Sequence, residues 1–171
     1  MLHGRRLSPL AIDLSQLGHH TVTSFYSNLI TRPTGRAVRM GVESQIAEVD
    51  AEQHVCLSIL DFTQVRILDF SCADEIVAKL LLRYTGGDRP AEAYFLARGL
   101  QEHHREAVEA VLERHDLLLA VEPEPGSYDL LGPSDAVQRR CWKALLLRSR
   151  CGVEHVTAAT GLSAEAVEAA L

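Results

Sequence analysis

The run "HVCLSILDF", residues 54–62, is nearly continuous in apolar residues and has strand length. That is the pattern of a strand covered on both faces rather than of a half-exposed hairpin strand. It is one of several such runs, and the segments between them carry helical spacing. Before it, "ITRPTGRAVRMGVESQIAEVD" opens with Pro33 and Thr34 and repeats Ala37, Val38, Val42, Ile46 and Val49, which predicts a helix over 34–49. After it, a very short strand "VRIL" leads into a helix over 71–84, stopped by "TGGDRP". Then come a strand "AEAYFLA", an amphipathic helix "LQEHHREAVEAVLERH" and a strand "DLLLAVE". Strands that alternate with helices need crossover connections, so the fold class expected is α/β: a mixed sheet with some parallel pairs and helices packed on it.

The organisation outside this core is simpler. Residues 1–30 contain two alternating segments, "LAIDLS" and "VTSFYSNL", read as strands joined by a turn at Gly18-His19-His20. Pro and Gly in 123–133 mark a boundary, which sets an α/β domain at 1–131. The remainder, 134–171, reads as a three-helix module: a helix over 135–149 capped by Ser134, then "GVEHVTAAT", a turn at Gly161 and a last helix capped by Ser163. Trp142, Leu145, Leu146, Val153, Val156, Ala159, Leu162, Val167 and Leu171 are its expected core.

Composition narrows the function. A chain of 171 residues that is 47% hydrophobic and 23% charged can bury one good core plus a small appendage. No stretch approaches the roughly 20 apolar residues of a membrane helix. The basic N-terminus precedes an apolar patch broken by Pro9, Asp13 and Gln16, which is not a secretory signal, so the expected compartment is the cytoplasm. Cys56, Cys72, Cys141 and Cys151 form no C-x-x-C pair and sit in apolar segments, where a reduced thiol acts as a small hydrophobe. The net charge of −6 is uneven: residues 54–133 hold 14 acidic and 7 basic side chains, and such an acidic middle repels nucleic acid. The histidines have no metal-ligand spacing, and no nucleophile elbow, phosphate loop or dinucleotide fingerprint occurs. No cofactor, metal site or catalytic residue is expected.

The residues at 57–84 carry a resemblance. A strand ending in Asp-Phe, a short connector and a Ser-containing turn that opens an amphipathic helix resemble the STAS fold of anti-sigma factor antagonists. The chain is also similar to a STAS-like domain of unknown function from bacterial regulatory proteins, through Arg32 before the first helix, Asp61-Phe62 with Val65, and Ala73-Asp74-Glu75. The resemblance covers about 20–131. It implies a STAS-like sheet with helices on it and a non-enzymatic regulatory role exercised through protein contacts, with a kinase or anti-sigma-type partner. The C-terminal helices either pack on that core or serve as a homodimer or partner surface. In the antagonists the turn is Asp-Ser-Ser-Gly and a partner kinase phosphorylates its second Ser. Laid on "DFSC", that motif puts Ser71 at the phosphorylated position and Asp69 at the acidic one, with Phe70 and Cys72 departing from it.

The same residues have a plainer reading. Ser71 followed by Asp74 is close to a capping box, and Asp74-Glu75 suit the first turn of a helix by opposing its dipole. A phosphate on Ser71 is favoured by the helix N-terminus and opposed by Asp69, Asp74 and Glu75. Arg32, Asp69, Ser71, Asp74 and Glu75 are therefore the candidate partner interface, while Arg36 and Arg39 read as a solvated face of the first helix. The segment "VEHVTAATGLSAEAVEAAL" resembles a helix-turn-helix core, which makes a DNA-binding transcriptional regulator the alternative. Its contacts would be Arg139, Arg140, Lys143, Arg148 and Arg150, because the last helix has two Glu and no basic residue.

Overall fold

The computed structural model describes residues 20–52, 54–148 and 151–170. The chain divides into two compact units, one spanning His19–Pro133 and one that includes Ser134–Leu171. The strand expected in "LAIDLS" and the turn at Gly18-His19 lie outside the described residues, as does Arg150. Among the described residues no helix is long and apolar enough to cross a membrane.

The first unit alternates strand and helix. Strand β1 (His20–Leu29) is followed by helix α1 (Arg32–Ala51) and strand β2 (Cys56–Leu68). Three consecutive segments then form one continuous helix, α2: Phe70–Ala73, a π-helical turn Asp74–Ala78, and Lys79–Thr85. Strand β3 (Ala93–Arg98), helix α3 (Glu102–His115), strand β4 (Leu119–Glu124) and strand β5 (Ser127–Leu131) complete it. The sheet order is β1-β2-β3-β4-β5, parallel through β4, with β5 antiparallel to β4. The fold is thus α/β with a mixed sheet, as the alternation predicts.

Each crossover advances one strand in the same direction, and crossovers of one hand then place every helix on one face. The burial pattern agrees. In β2, Cys56, Ser58, Leu60 and Phe62 are buried while Leu57, Ile59 and Asp61 between them are only partly covered, and β3 repeats the alternation. On the helix face Phe25 meets Phe62 edge-on at 4.8 Å, and Val42, Ile46, Ile76, Leu80, Val108 and Leu112 fill the layer above.

Two expectations need correction. "VRIL" is not a separate strand, because β2 runs unbroken for 13 residues. Its pairing with β3 ends at Asp61, beyond which it has only β1 as a neighbour, so polar Thr63 and Gln64 are tolerated in water. Two register shifts against β1, each an extra residue on β2, absorb the irregularity. Residues 123–131 are not a boundary loop either. Pro125-Gly126, with Gly126 at φ +79°, is the tight turn of the β4–β5 hairpin, and the boundary falls at Pro133. Helix α1 also starts earlier than 34, at Arg32, with Thr31 as the cap accepting from the Thr34 N–H and Pro33 where no donor is needed.

The second unit holds α4 (Ala136–Leu146), α5 (Val153–Thr160) and α6 (Ala164–Ala170), each touching the other two. Cys141, Ala144, Cys151, Val156 and Val167 form its core, with Val137, Leu145, Val153 and Leu162 packed around it. Leu146 and Ala159, expected inside, are exposed, and Leu171 lies outside the described residues. The cap of α4 is Asp135 rather than Ser134, and α4 ends at Leu146 rather than at 149. Ser163 does cap the last helix, accepting from the Ala166 N–H. All four cysteines are buried and free.

Candidate interaction site around Ser71

The start of α2 is fastened to the end of the sheet. Leu29 and Leu68 are paired at the ends of β1 and β2, and the Asp69 N–H donates to the Leu29 carbonyl at 2.9 Å. This turns the chain so that the Asp69 side chain faces the first helical N–H groups. Its Oδ1 accepts from Ser71 N at 2.7 Å and Cys72 N at 3.1 Å, so the N-cap is Asp69. The capping box of Ser71 with Asp74 is therefore not formed. The Ser71 hydroxyl is instead a donor, 2.5 Å from Asp69 Oδ1 and 3.4 Å from the Ile30 carbonyl. That hydroxyl, together with the helical N–H groups, holds the Asp69 carboxyl below the ordinary Asp range. Ser71 is half-buried.

Cys72, beside it, faces inward and its Sγ donates to the Thr31 carbonyl at 2.9 Å. Burial pushes its thiol up, which keeps it protonated and inert at neutral pH.

Asp74 and Glu75 are displaced from the role expected of them. Neither is an exposed patch for a basic partner, because both are buried and held by this chain's own cations. Asp74 accepts from Arg32 at 2.9 Å and pairs with His115 Nε2 at 3.1 Å. Glu75 accepts from Arg32 at 3.0 Å, from Arg39 at 3.4 Å and from Lys79. Burial pushes both carboxyls up, but the hydrogen bonds outweigh it, from Arg32 and His115 at Asp74 and from Lys79 and Arg32 at Glu75, and both stay below their ordinary values. Arg39 is likewise not on a solvated face: it bridges Glu43 and Glu75, whereas Arg36 is exposed.

The cause is the position of α2. It packs against α1 on one side and α3 on the other, so it has little solvent face and every residue from Cys72 to Ala78 is buried. The π turn, in which the Lys79 N–H reaches Asp74 O, gives this helix an extra residue per turn and lets two adjacent carboxylates point to neighbouring helices. Gly35 permits the approach of α1: a Cβ there would stand 3.0 Å from both Cys72 Cα and Glu75 Cβ.

Of the five residues expected to form an interface, Arg32, Asp69 and Ser71 reach the surface at one end of the sheet, and Asp74 and Glu75 form the support beneath. Lys79 and His115 were missed. The Glu75–Lys79 spacing of four was a signal for the first; His115, forty-one residues from Asp74, left none. Family models, curated proteins and solved structures return no match to this chain.

The other candidate contacts lie in the helical unit. Arg139, Arg140 and Lys143 are exposed on α4 and Arg148 is exposed beyond its end. Glu165 and Glu168 are exposed on α6, so the last helix presents acid rather than base.

Proposed function

We propose that this chain is a non-enzymatic bacterial regulatory protein, in which a STAS-like α/β domain acts by protein–protein contact at the turn of Asp69 to Ser71, with Ser71 as the position of a phosphorylation switch. One observation carries the reading. A half-buried Ser hydroxyl hydrogen-bonded to an acidic neighbour opens a helix at the end of a parallel strand, where the resemblance expects a modified Ser. The partner is a kinase or an anti-sigma-type regulator. A phosphate there gains from the helix N-terminus and loses against Asp69, so its addition changes the local field without any change of fold.

Affinity purification of the wild type beside Ser71→Ala and Ser71→Glu, with intact mass of the protein recovered from its native cells, tests this. A partner lost only in Ser71→Glu, or a population heavier by one phosphate, supports the switch. The same partners in all three with an unmodified mass would leave Ser71 as part of a helix start and nothing more.

A second reading is DNA binding through a helix-turn-helix-like module, favoured by exposed Arg139, Arg140, Lys143 and Arg148 and opposed by the acidic α6. A gel shift whose affinity falls steeply with salt would support it.

A further inference from the structure

Three large apolar side chains remain in water at the end of the sheet where β1 and β2 finish. Ile30, just after β1, is 46% exposed; Ile67, the penultimate residue of β2, 49%; and Phe70, the first residue of α2, 38%. They are not the overflow of a poorly covered core. Leu29, Leu68 and Cys72, their neighbours in sequence, are buried and fill it. Backbone pairing brings the three segments together: Ile67 is opposite Asn28, Leu68 opposite Leu29, and the Ser71 hydroxyl lies 3.4 Å from the Ile30 carbonyl. Single exposed apolar residues are ordinary, but a group of large ones at one end of a sheet marks a contact surface.

An arginine stands beside each of them. The Arg114 guanidinium stands 5.9 Å from the centre of the Phe70 ring, Arg66 is exposed beside Ile67, Arg32 is half-exposed, and Arg36 is exposed on the first turns of α1. Three acidic residues of this region are already engaged: Asp69 with the Ser71 hydroxyl and helix N–H groups, Asp74 and Glu75 in the buried pairs. In a chain of net charge −6, this apolar group is thus accompanied by arginines.

We infer that Ile30, Ile67 and Phe70 are the anchor of the partner-binding surface, and that the partner segment carries large apolar side chains flanked by Asp or Glu. Apolar burial supplies the affinity and the arginine rim selects the partner and speeds encounter. The patch deepens the interaction reading above and rests on it for the role of Ser71 alone. Phosphate or Glu at Ser71 adds negative charge inside the rim, which opposes an acidic segment.

The probes are two labelled synthetic peptides with Leu and Phe at helical spacing, one with Asp and Glu flanking them and its twin with Lys at those places. Binding to the full chain is followed by fluorescence anisotropy. The acidic probe binds wild type roughly tenfold or more tightly than its twin, and Ile67→Ser with Phe70→Ser weakens it by a similar factor. Arg66→Glu with Arg114→Glu does the same. Leu82→Ser, an equally exposed apolar residue at the far end of α2, leaves binding unchanged. Circular dichroism melts confirm that the exposed-site variants fold. Equal binding of the two peptides, or wild-type binding by the Ile67/Phe70 variant, would overturn the inference. Ser71→Glu in the same titration separates the two ideas: unaltered binding there, with loss at Ile67 and Phe70, removes the switch and keeps the anchor.

Discussion

Replacing Glu75 by Gln tests whether the buried carboxylate holds α1 to α2. The side chain keeps its shape and loses its charge. Glu75 is 2% exposed and accepts from Arg32, Arg39 and Lys79. An amide offers one acceptor in place of two and turns an N–H₂ toward a cation. Hydrogen bonds to charged groups contribute about 1.5–3 kcal/mol each, and breaking a fully buried ion pair costs about 3–5 kcal/mol. Neither figure applies in full. Arg32 and Lys79 are 49% and 42% exposed and can turn to water, and Arg39 keeps Glu43 at 2.8 Å. The loss that remains is chiefly that of Arg39 and of the desolvated carboxylate site itself, which gives about 2 kcal/mol. Urea unfolding at pH 7, followed by far-UV circular dichroism, measures it. The single Trp, Trp142, lies in the helical unit and reports that unit instead. The exposed Glu48→Gln on α1 is the control and changes stability by less than about 0.5 kcal/mol. A Glu75→Gln loss no larger than that of the control would refute the reasoning, since the buried carboxylate would then contribute no more than an exposed one.

The remaining predictions follow from the same geometry. Gly35→Ala forces α1 away from Cys72 and Glu75 and destabilises by about 1–3 kcal/mol, whereas Gly41→Ala, with nothing within 4 Å of its Cβ, stabilises by about 0.5–1 kcal/mol; opposite signs in one helix are read by urea midpoints. Asp69→Ala removes the cap of α2 and costs about 1–2 kcal/mol, and Ser71→Ala costs less because its hydroxyl is a donor rather than the cap; equal losses would reassign the cap. Burial, and then His103, lower the pKa of His104, which is fully buried with Nδ1 accepting from Gln101 N. A lowered pKa means the unfolded chain takes up the proton first. The His104 contribution is therefore complete above about pH 6.5 and is lost as pH falls through the folded value, a slope that His104→Asn removes from the pH dependence of the urea midpoint. Asp69, Asp74 and Glu75 all titrate below their ordinary values, so their contributions persist to about pH 4 and vanish as pH falls further; Glu75→Gln flattens that limb.

How far the sequence reveals the molecule depends on the range of the interaction. Alternation of apolar runs with helical spacing is local, and it gives β1 to β4 and the three helices between them in order, but not β5. Misreadings occur where one local pattern has two tertiary outcomes. Thr63-Gln64 looks like a break in a strand and is a strand that has outrun its neighbour β3. Pro125-Gly126 looks like a linker and is a hairpin turn, because β5 finds its pairing on β4 rather than in its own weakly apolar residues.

The site divides along the same line. Asp69 and Ser71 are two residues apart, and a helix start can be read from them, though which of them accepts depends on the direction in which β2 delivers the chain. Asp74 and Glu75 are also a legible helix start, and there the local reading fails. Charge alone suggests solvent exposure, yet a helix between two others has little solvent face, and its carboxylates are buried where Arg32 and Arg39 of α1 and the His115 ring of α3 meet them. Gly35 marks where that meeting occurs, but the sequence does not single it out: Gly41 in the same helix has no neighbour within 4 Å. For the proposed function this means a division of labour. Because Asp74 and Glu75 neutralise Arg32 from below only in part, leaving it 49% exposed, the same arginine both locks α1 to α2 and faces the surface around Ser71. Under the proposed switch, a phosphate at Ser71 would compete with Asp74 and Glu75 for Arg32, and loosened packing of α1 on α2 would be its expected trace.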